Sequence, residues 1–459
     1  MVALFWFRRD NRLNDNVALN RAIEHAVTAG NGNVFAVSLI EQDAFEALGG
    51  LRQHSLVASL EALSDSMAGQ LNIVQGANRN DTVARLCSVA KQLGVSKVFA
   101  TRAFDPEGVA VQNTVGLALK EIGVFLELHG SNYAVEPGSV RKPDGSPYRV
   151  YTPFYKAWMQ IGWVAPVTLS NLPFKWQADA SMTQLPVATK PAPFKVIAGE
   201  VYALRTLERF RQRSLATYNE DRNRADLSGT SHLSHALSFG EIHPRTILAT
   251  LGDQPGPEVF RKEIAWREFY GDVLWHAPHS YDQYLDPKYA NMRYDTGVLA
   301  ETRLAAWQQG RTGYPMVDAG MRQLLETGWM HNRVRMIVAS FLVKDLHLEW
   351  QQGAQWFEQH LTDFDPASNS HGWQWTAGCG TDASPYYRVF NPVLQGLKFD
   401  PNGNYVRKYV PELRHIDGSA VHEPWNLIDG GLHGYPQPIV DHSAERDESL
   451  RRLEELKTR

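Results

Sequence analysis

Apolar and polar residues alternate regularly in the first part of this chain. Apolar runs at 2–7, 33–40, 71–75, 97–102 and 124–129 have the length and composition of buried strands. Between them, amphipathic stretches at 16–29, 52–68, 81–93 and 107–122 predict helices. This β-α-β-α order predicts an α/β fold with a Rossmann-like parallel sheet covered by helices.

The first predicted strand is not followed by a dinucleotide-binding fingerprint. The turn after it reads Arg8-Arg9-Asp10-Asn11-Arg12, with no Gly-x-Gly-x-x-Gly. Glycines at that turn are what allow a dinucleotide pyrophosphate to approach the backbone. The predicted fold therefore does not by itself indicate NAD binding.

The pattern changes twice after the predicted sheet. Pro, Gly and Ser recur between 131 and 197, which predicts a long connection over the surface. From 198 onward the period is helical, with stretches at 200–216, 257–275, 315–327 and 330–350 and a charged, frayed helix from 443. We therefore predict an α/β domain at 1–130, an interdomain connector at 131–197 and an all-α domain at 198–459.

Composition narrows the class of protein. The 459 residues are 43% hydrophobic and 21% charged, as in soluble globular proteins, and the net charge is −4. Binding of nucleic acid would therefore need a local basic patch. Only two cysteines occur, the start is unlike a signal peptide, and no apolar run has membrane-spanning length, so we expect a cytoplasmic protein that does not enter a membrane.

The segment from Trp329 to Gln351 carries the strongest local signal. It contains no Gly or Pro and predicts one long helix. Asn332 and Met336 are four residues apart and share a face, with Arg335 beside them. Such residues in a Trp-rich neighbourhood predict the polar floor of a pocket, although a satisfied buried network would give the same pattern.

Two further segments suggest ligand chemistry. Residues 229–234 read Gly-Thr-Ser-His-Leu-Ser before a helical stretch, which is typical either of an anion site or of simple N-capping. Glu263 and Trp266 face the same way, with Arg267 placed to pair with Glu263. An acid beside an aromatic ring can bind the edge and the face of a base, and a surface ion pair over a core Trp is about equally compatible.

A third segment, 363–375, combines two acids, an Asn and two tryptophans in what we predict to be a tight loop. Burying those polar groups without a purpose would be costly. The Gly-Tyr-Pro turn that follows Thr312, with its capping Asp318, is interpreted as architectural. Sixteen histidines occur, but without a metal-type spacing, so no metal site is predicted.

Together these segments resemble the DNA photolyase/cryptochrome family across nearly the whole chain. Residues 6–16 are similar to the family's opening, with Asn11 where Leu is usual, and 312–324 and 332–351 are similar to two long family motifs. The resemblance implies an antenna-chromophore domain at 1–130 and a helical domain that binds FAD and DNA at 198–459.

The resemblance also implies which residues hold FAD. Tyr218 and the segment 230–234 would bind the diphosphate, Asn369 would face the central flavin ring, and Arg335 would pair with Asp363. The implied contacts are Tyr218, Thr230, Ser231, His232, Leu233, Ser234, Glu263, Arg267, Asn332, Arg335, Asp363, Phe364, Asp365 and Asn369. For the antenna, 104–110 lacks the Asn-Glu pair of folate-using members, which leaves methenyltetrahydrofolate, 8-hydroxydeazaflavin, a flavin or none.

UV-damaged DNA carrying a pyrimidine dimer is the partner that the resemblance implies, bound by a monomer. Its expected contacts are Arg222, Glu263, Trp266, Asn332, Arg333, Trp375, Arg388 and Lys398. The residues expected to act in the reaction are Glu263, Met336 and Asn369, with Trp373, Trp350 and Tyr294 as an electron relay. Tyr294 lies about where family members carry the outer relay Trp.

Three differences within the family favour repair of cyclobutane pyrimidine dimers by a class I member. Members that repair the (6-4) photoproduct carry His-His where this chain has His331-Asn332, and a His at Met336. Cryptochromes carry Asp or Cys at Asn369, and tend to have a long C-terminal extension. The alternatives are a cryptochrome-type blue-light photoreceptor without repair activity, and a nucleotide-binding domain fused to a helical interaction module without flavin.

Overall fold

The computed structural model describes residues 2–382, 387–428 and 433–458. The strands are β1 Ala3–Phe7, β2 Asn33–Glu41, β3 Asn72–Gly76, β4 Lys97–Ala100, β5 Phe125–Leu128 and β6 Lys175–Gln177. The α-helices are α1 Val17–Thr28, α2 Gln42–Ala47, α3 Gly50–Ser66, α4 Arg79–Gln92, α5 Pro106–Glu121, α6 Tyr151–Ile161, α7 Glu200–Arg213, α8 Tyr218–Asp221, α9 Ser234–Phe239, α10 Pro244–Leu248, α11 Pro255–His276, α12 Val298–Gln308, α13 Pro315–Thr327, α14 Asn332–Lys344, α15 Trp350–His360, α16 Pro366–Ala377, α17 Pro392–Phe399, α18 Asn404–Tyr409 and α19 His442–Thr458. Short 3-10 turns cover Ala180–Met182, Pro278–Tyr281, Pro287–Asn291, Pro411–Leu413, Gly418–His422 and Pro424–Asn426.

The chain divides into two compact units. The first unit comprises Met1–Arg213 and Ser231–His276, and the second comprises Ser214–Thr230 and Ala277–Arg459. The domain boundaries at residues 130 and 197 were predicted from the sequence pattern and divide the chain differently from these compact units. They stay a prediction.

A parallel sheet forms the core of the first unit, in the order β3-β2-β1-β4-β5, which confirms the predicted α/β fold. Alternate residues of β1 point to opposite faces: Phe5 and Phe7 pack in one buried cluster, and Leu4 and Trp6 pack in the other. Both faces are therefore covered, and this is why the strands read as continuous apolar runs in the sequence.

The predicted connector contains more regular structure than its composition indicates. Helix α6 lies within it, and β6 pairs with β2 from Asn33 to Phe35, beyond the part of β2 that pairs with β3. Because β6 has only three residues, no periodicity could reveal it. The connector thus supplies an edge strand to the sheet.

The prediction of one helix from Trp329 to Gln351 is wrong. Helix α14 ends at Lys344, and His347 takes a left-handed conformation with φ of 55° before α15 begins. The turn is fixed by contacts with a distant segment: His442 donates to Asp345 at 2.5 Å, and His347 lies 2.7 Å from Glu445. These tertiary polar contacts override the local helical propensity.

Two smaller predictions also need correction. A tight loop was predicted for 363–375, but residues 366–377 form helix α16, which Asp365 caps by accepting a hydrogen bond from the Ser368 N–H at 2.9 Å. The C-terminal segment is a continuous helix rather than a frayed one, and Arg452, 5% exposed, ties it to Asp295 at 2.7 Å. Among the described helices, none is both long and apolar enough to cross a membrane.

Candidate functional site

An ion pair in the second unit joins the start of α14 to the segment after α15. Arg335 donates from Nη2 to Asp363 Oδ2 at 2.7 Å and from Nε to the Met330 carbonyl at 2.8 Å, which confirms the predicted pair. The Asp363 side chain is 1% exposed. Its other oxygen, Oδ1, has no hydrogen-bond partner among the described residues.

A buried carboxylate oxygen without a hydrogen-bond partner is energetically costly. A ligand bound next to Asp363 can supply the missing hydrogen-bond donor. The N–H and O–H groups of FAD are donors of the required kind, and the paired Arg335 keeps the carboxylate charge compensated. These residues therefore fit the flavin nucleotide that the sequence resemblance implies.

Polar side chains at the start of α14 face the same way. Asn332 is the first residue of the helix and is exposed, and Arg335 and Met336 follow three and four residues later, partly buried. This is the shared face predicted from the sequence. Helix α14 is held close to α13 because Gly320 leaves no room for a side chain, with Val334 Cγ1 only 2.5 Å from where a Cβ would lie.

Helix α16 carries Asn369 and Trp373 four residues apart, hence on one face. Asn369 donates from Nδ2 to the Ala354 carbonyl on α15 at 3.1 Å, which fixes its amide. Trp373 is buried, and a Cβ at Gly353 would lie 2.1 Å from its ring. The glycine on α15 thus sets where the Trp373 ring can lie.

A tyrosine that the sequence did not reveal contacts two of the aromatic residues predicted to form an electron relay. Tyr284 packs edge-to-face on Trp350 with ring centroids 6.2 Å apart, and stacks on Tyr294 at 6.5 Å and 19°. Burial raises the pKa of both phenols, so neither loses a proton readily. Tyr284 therefore lies between two predicted relay members.

Two of the predicted DNA contacts lie near one ring. The Arg333 guanidinium lies 4.6 Å from the Phe399 ring centroid, and the Lys398 amine lies 5.4 Å from the same centroid. Arg333 also donates to Asn223 Oδ1 at 2.8 Å, next to Arg222. This group forms a local basic patch on a protein whose net charge is −4. Trp375 and Arg388, two further predicted DNA contacts, line a cavity in the same unit.

In the first unit, the residues predicted on α11 are anchored by the connector. Trp266 stacks on Tyr151 with ring centroids 3.8 Å apart and 6° between the planes. Arg267 donates to the Asn132 carbonyl at 2.9 Å and lies over the Tyr133 ring, while Glu263 is partly buried. One face of the Trp266 ring is therefore already covered by Tyr151. The pairing of Glu263 with Arg267 stays a prediction.

A buried acid on α11 was missed by the sequence analysis. Glu268 accepts hydrogen bonds from the N–H groups of Ala134 and Val135 at 2.8 and 2.9 Å, and from the Trp158 indole at 3.3 Å. It therefore fixes the connector onto the helix that carries Glu263 and Trp266. The only sequence signal is a charged residue at an inward-facing position of the helix.

The segment expected to bind a diphosphate is divided between the units after Thr230. In the first unit, Ser231 Oγ accepts from the Leu233 N–H at 3.3 Å, and His232 takes a left-handed conformation with φ of 53°. The following helix, α9, has only six residues. In the second unit, Tyr218 is buried at the start of α8.

The stretch 104–110, considered for an antenna chromophore, forms the start of α5. Asp105 caps this helix by accepting from the Gly108 N–H at 2.8 Å. A cavity of about 710 Å³ in the same unit lies elsewhere, between β3, α4 and residues 181–189. Among the described residues, no cluster of side chains has the composition of a metal site.

Comparison with protein families identifies both parts of the chain. The family model described as "DNA photolyase" matches residues 3–172, and the one described as "FAD binding domain of DNA photolyase" matches residues 260–455. Two curated relatives named deoxyribodipyrimidine photo-lyase are similar along their whole lengths. The Agrobacterium fabrum protein is 38% identical and the Escherichia coli protein 35%, each over 97% of this chain and over 96% and 97% of their own.

Solved structures agree. A bacterial class III photolyase from Agrobacterium tumefaciens superposes with a TM-score of 0.87 at 36% identity, covering 100% of this chain and 98% of its own. An archaeal photolyase from Sulfolobus tokodaii, solved with two FAD molecules, gives 0.83 at 27% identity, covering 99% and 100%. A Synechocystis cryptochrome gives 0.85 at 25% identity, covering 98% of both chains. The chain therefore belongs to the DNA photolyase/cryptochrome family, and its helical part carries the FAD-binding domain of that family.

Proposed function

We propose that this protein repairs cyclobutane pyrimidine dimers in DNA by a light-driven reaction of reduced FAD. The observation that carries the proposal is the end-to-end similarity to curated deoxyribodipyrimidine photo-lyases. The unpartnered oxygen of Asp363, next to Arg335, supports it because the helical unit offers a site that needs a donor from a ligand.

When bound, reduced FAD would absorb blue light and supply the electron that splits the dimer. The residues of the chain would position it and tune its surroundings. Asp363 would accept a hydrogen bond from the flavin, and Arg335 would keep that carboxylate in place. Asn369, fixed by Ala354, would offer its amide to the ring system. Such preorganised groups in a dry site act without reorganising.

DNA would be held by charge and by stacking. Arg222, Arg333, Arg388 and Lys398 would contact phosphates, which makes binding weaker at high salt. Because the reaction needs a lesion outside the base stack, Glu263 would bind its edge while Trp266 and Trp375 stack on it and Met336 packs beside it. Stacking on Tyr151 holds the Trp266 ring in one orientation, so that its other face can receive the lesion.

A cryptochrome-type photoreceptor is the second candidate. It is favoured by the TM-score of 0.85 to the Synechocystis cryptochrome, since one fold supports both activities. The class I assignment also stays a proposal, because a class III photolyase is among the similar structures.

One experiment separates these functions. Protein with reduced flavin is mixed with an oligonucleotide carrying either a thymine cyclobutane dimer or a (6-4) photoproduct, and intact thymines are counted after blue light and after dark. The proposal predicts repair of the cyclobutane dimer only, and only in light. A yellow, flavin-loaded protein that leaves both lesions intact would favour the photoreceptor. A colourless protein that cannot be reconstituted with FAD would contradict both.

A further inference from the structure

A cavity of about 410 Å³ in the second unit combines basic and aromatic side chains. It lies between the end of α14, the end of α16 and the C-terminal helix α19. Its lining includes Lys344, Arg388, Lys457, Tyr289, Trp375 and Tyr387. Of these, only Trp375 and Arg388 belong to the predicted DNA contacts, and none belongs to the predicted flavin contacts. The volume is typical of a small-molecule site.

Lys344 is the unusual member of this lining. Its side chain is 2% exposed, and its amine donates to the Arg388 carbonyl at 2.6 Å and lies 4.2 Å from the centroid of the Tyr387 ring. Among the described residues, no carboxylate pairs with it. Its sequence neighbour Asp345 is instead hydrogen-bonded to His442. Burial lowers the pKa of Lys344 to about 7.

A buried ammonium group without an anion is expensive, and chains normally compensate it with an acid. Here the charge borders an open cavity, so a ligand entering that cavity can supply the missing anion. Of the other two basic residues that line the cavity, Lys457 is paired with Glu454 at 3.1 Å, and Arg388 adds a second positive charge beside Lys344.

The walls of the cavity favour a flat ligand. Trp375, Tyr289 and Tyr387 are among its lining residues, and the Tyr387 hydroxyl forms a 3.2 Å hydrogen bond with that of Ser449 on α19. Aromatic rings bind nucleobases and similar heterocycles by stacking, largely without regard to sequence. Helix α19 also contributes Leu450 and Leu453, which add apolar side chains to the lining.

We propose that this cavity binds a planar heteroaromatic group carrying a negative charge, with Lys344 as its buried counter-ion. Two sources share this chemistry: a free nucleotide-like anion, and one nucleotide of a DNA strand. The proposal concerns a site separate from the residues expected to hold FAD, and it holds whether or not the protein repairs DNA.

Binding is tested first in the dark, with the flavin-loaded protein and thymidine 5′-monophosphate in equilibrium dialysis. We expect saturable binding that weakens at least tenfold when thymidine without phosphate is used, and at least tenfold in Lys344→Met. The matched control is Lys408→Met, since Lys408 also lies over a ring, that of Tyr409, but is exposed outside the cavity. Equal binding by all three proteins would overturn the proposal.

A second measurement uses only the unaltered protein, in case Lys344→Met does not fold. The lysines are acetylated with acetic anhydride, and the modified positions are read by mass spectrometry. A bound phosphate would keep the Lys344 amine protonated and covered, so we expect saturating thymidine 5′-monophosphate to slow its acetylation at least fivefold and to leave Lys408 unchanged. Unchanged acetylation of Lys344 would contradict the proposal.

The two sources are separated by repeating the acetylation with a thymidine hexanucleotide. Protection by both the mononucleotide and the hexanucleotide supports the site and assigns it to a nucleotide of a strand. Protection by the mononucleotide alone supports the site and assigns it to a free anion. Protection by neither refutes the site. Because no light and no lesion are used, failure here is distinct from failure of the repair assay.

Discussion

Replacing Gly353 by Ala tests how the position of the Trp373 ring is set. A Cβ at Gly353 would lie 2.1 Å from Cη2 of Trp373 and 2.6 Å from Cδ2 of Leu342. Both distances are far below van der Waals contact, so the indole would have to move away from α15. Overpacking of this kind costs about 1–3 kcal/mol. The greater helix propensity of Ala returns about 0.5–1 kcal/mol. We therefore expect a net loss of about 0–2.5 kcal/mol in the free energy of unfolding.

The matched control is Gly372→Ala, the residue next to Trp373 in the chain. It also lies inside a helix, α16, but a Cβ there would meet nothing within 4 Å. We expect this variant to be more stable than the parent by about 0.5–1 kcal/mol, because only the backbone effect operates.

Urea unfolding, followed by tryptophan fluorescence, gives the stability of each variant. The rate at which light reduces bound flavin is measured alongside, since a displaced Trp373 should slow it in Gly353→Ala but not in Gly372→Ala. If Gly353→Ala is as stable as Gly372→Ala and reduces flavin at the parent rate, the packing argument for Trp373 is refuted.

Three further predictions follow from single side chains. Asp363→Asn should bind FAD at least tenfold more weakly, because charge-assisted hydrogen bonds contribute about 1.5–3 kcal/mol. The FAD that stays bound after dialysis measures this, and retention equal to the parent would show that Asp363 does not contact the flavin. Tyr294→Phe and Tyr284→Phe should each slow photoreduction of the flavin, because a phenyl ring is a poorer electron donor than a phenol, and an unchanged rate would exclude that residue from the relay. Between pH 7 and pH 10 the parent should gain stability relative to Lys344→Met in urea unfolding, and parallel pH profiles would contradict the lowered pKa of Lys344.

The sign of that pH effect follows from proton counting. The folded pKa of Lys344 is about 7 and the ordinary value is 10.5, so between them the unfolded chain binds more protons than the folded one. Stability therefore rises with pH across that window. Two neighbours titrate on either side of it: burial raises the pKa of Asp345 to about 6 and that of the Cys379 thiol to about 12. Comparison with Lys344→Met removes their contribution.

The sheet could be predicted closely from the sequence because burial on both faces leaves a strong local signal. Each predicted strand overlaps an observed one, β1 to β5. Helix α14 shows the limit of such reasoning. Nothing within residues 329–351 marks its end at Lys344, because the turn is fixed by His442 and Glu445, about a hundred residues later. Contacts distant in sequence are invisible to local periodicity.

The candidate site divides in the same way. The pair between Arg335 and Asp363 was expected from the family resemblance and is present in the structure. Tyr284 and Glu268 were not expected, because their contacts are with residues that only the fold brings close. Tyr284 contacts the rings of Trp350 and Tyr294, and Glu268 accepts a hydrogen bond from the Ala134 N–H. Lys344 has no distinctive sequence signal, because its burial depends on contacts with segments distant in the chain.

The central claim is that reduced FAD in this protein splits the dimer when it absorbs light. The most direct test is a single blue flash given to the protein bound to an oligonucleotide with one thymine cyclobutane dimer, followed by counting intact thymines. The account predicts thymine recovery from one flash when the flavin is fully reduced, and none when it is oxidised or kept dark. Equal recovery from oxidised and reduced protein, or none from either, would contradict it.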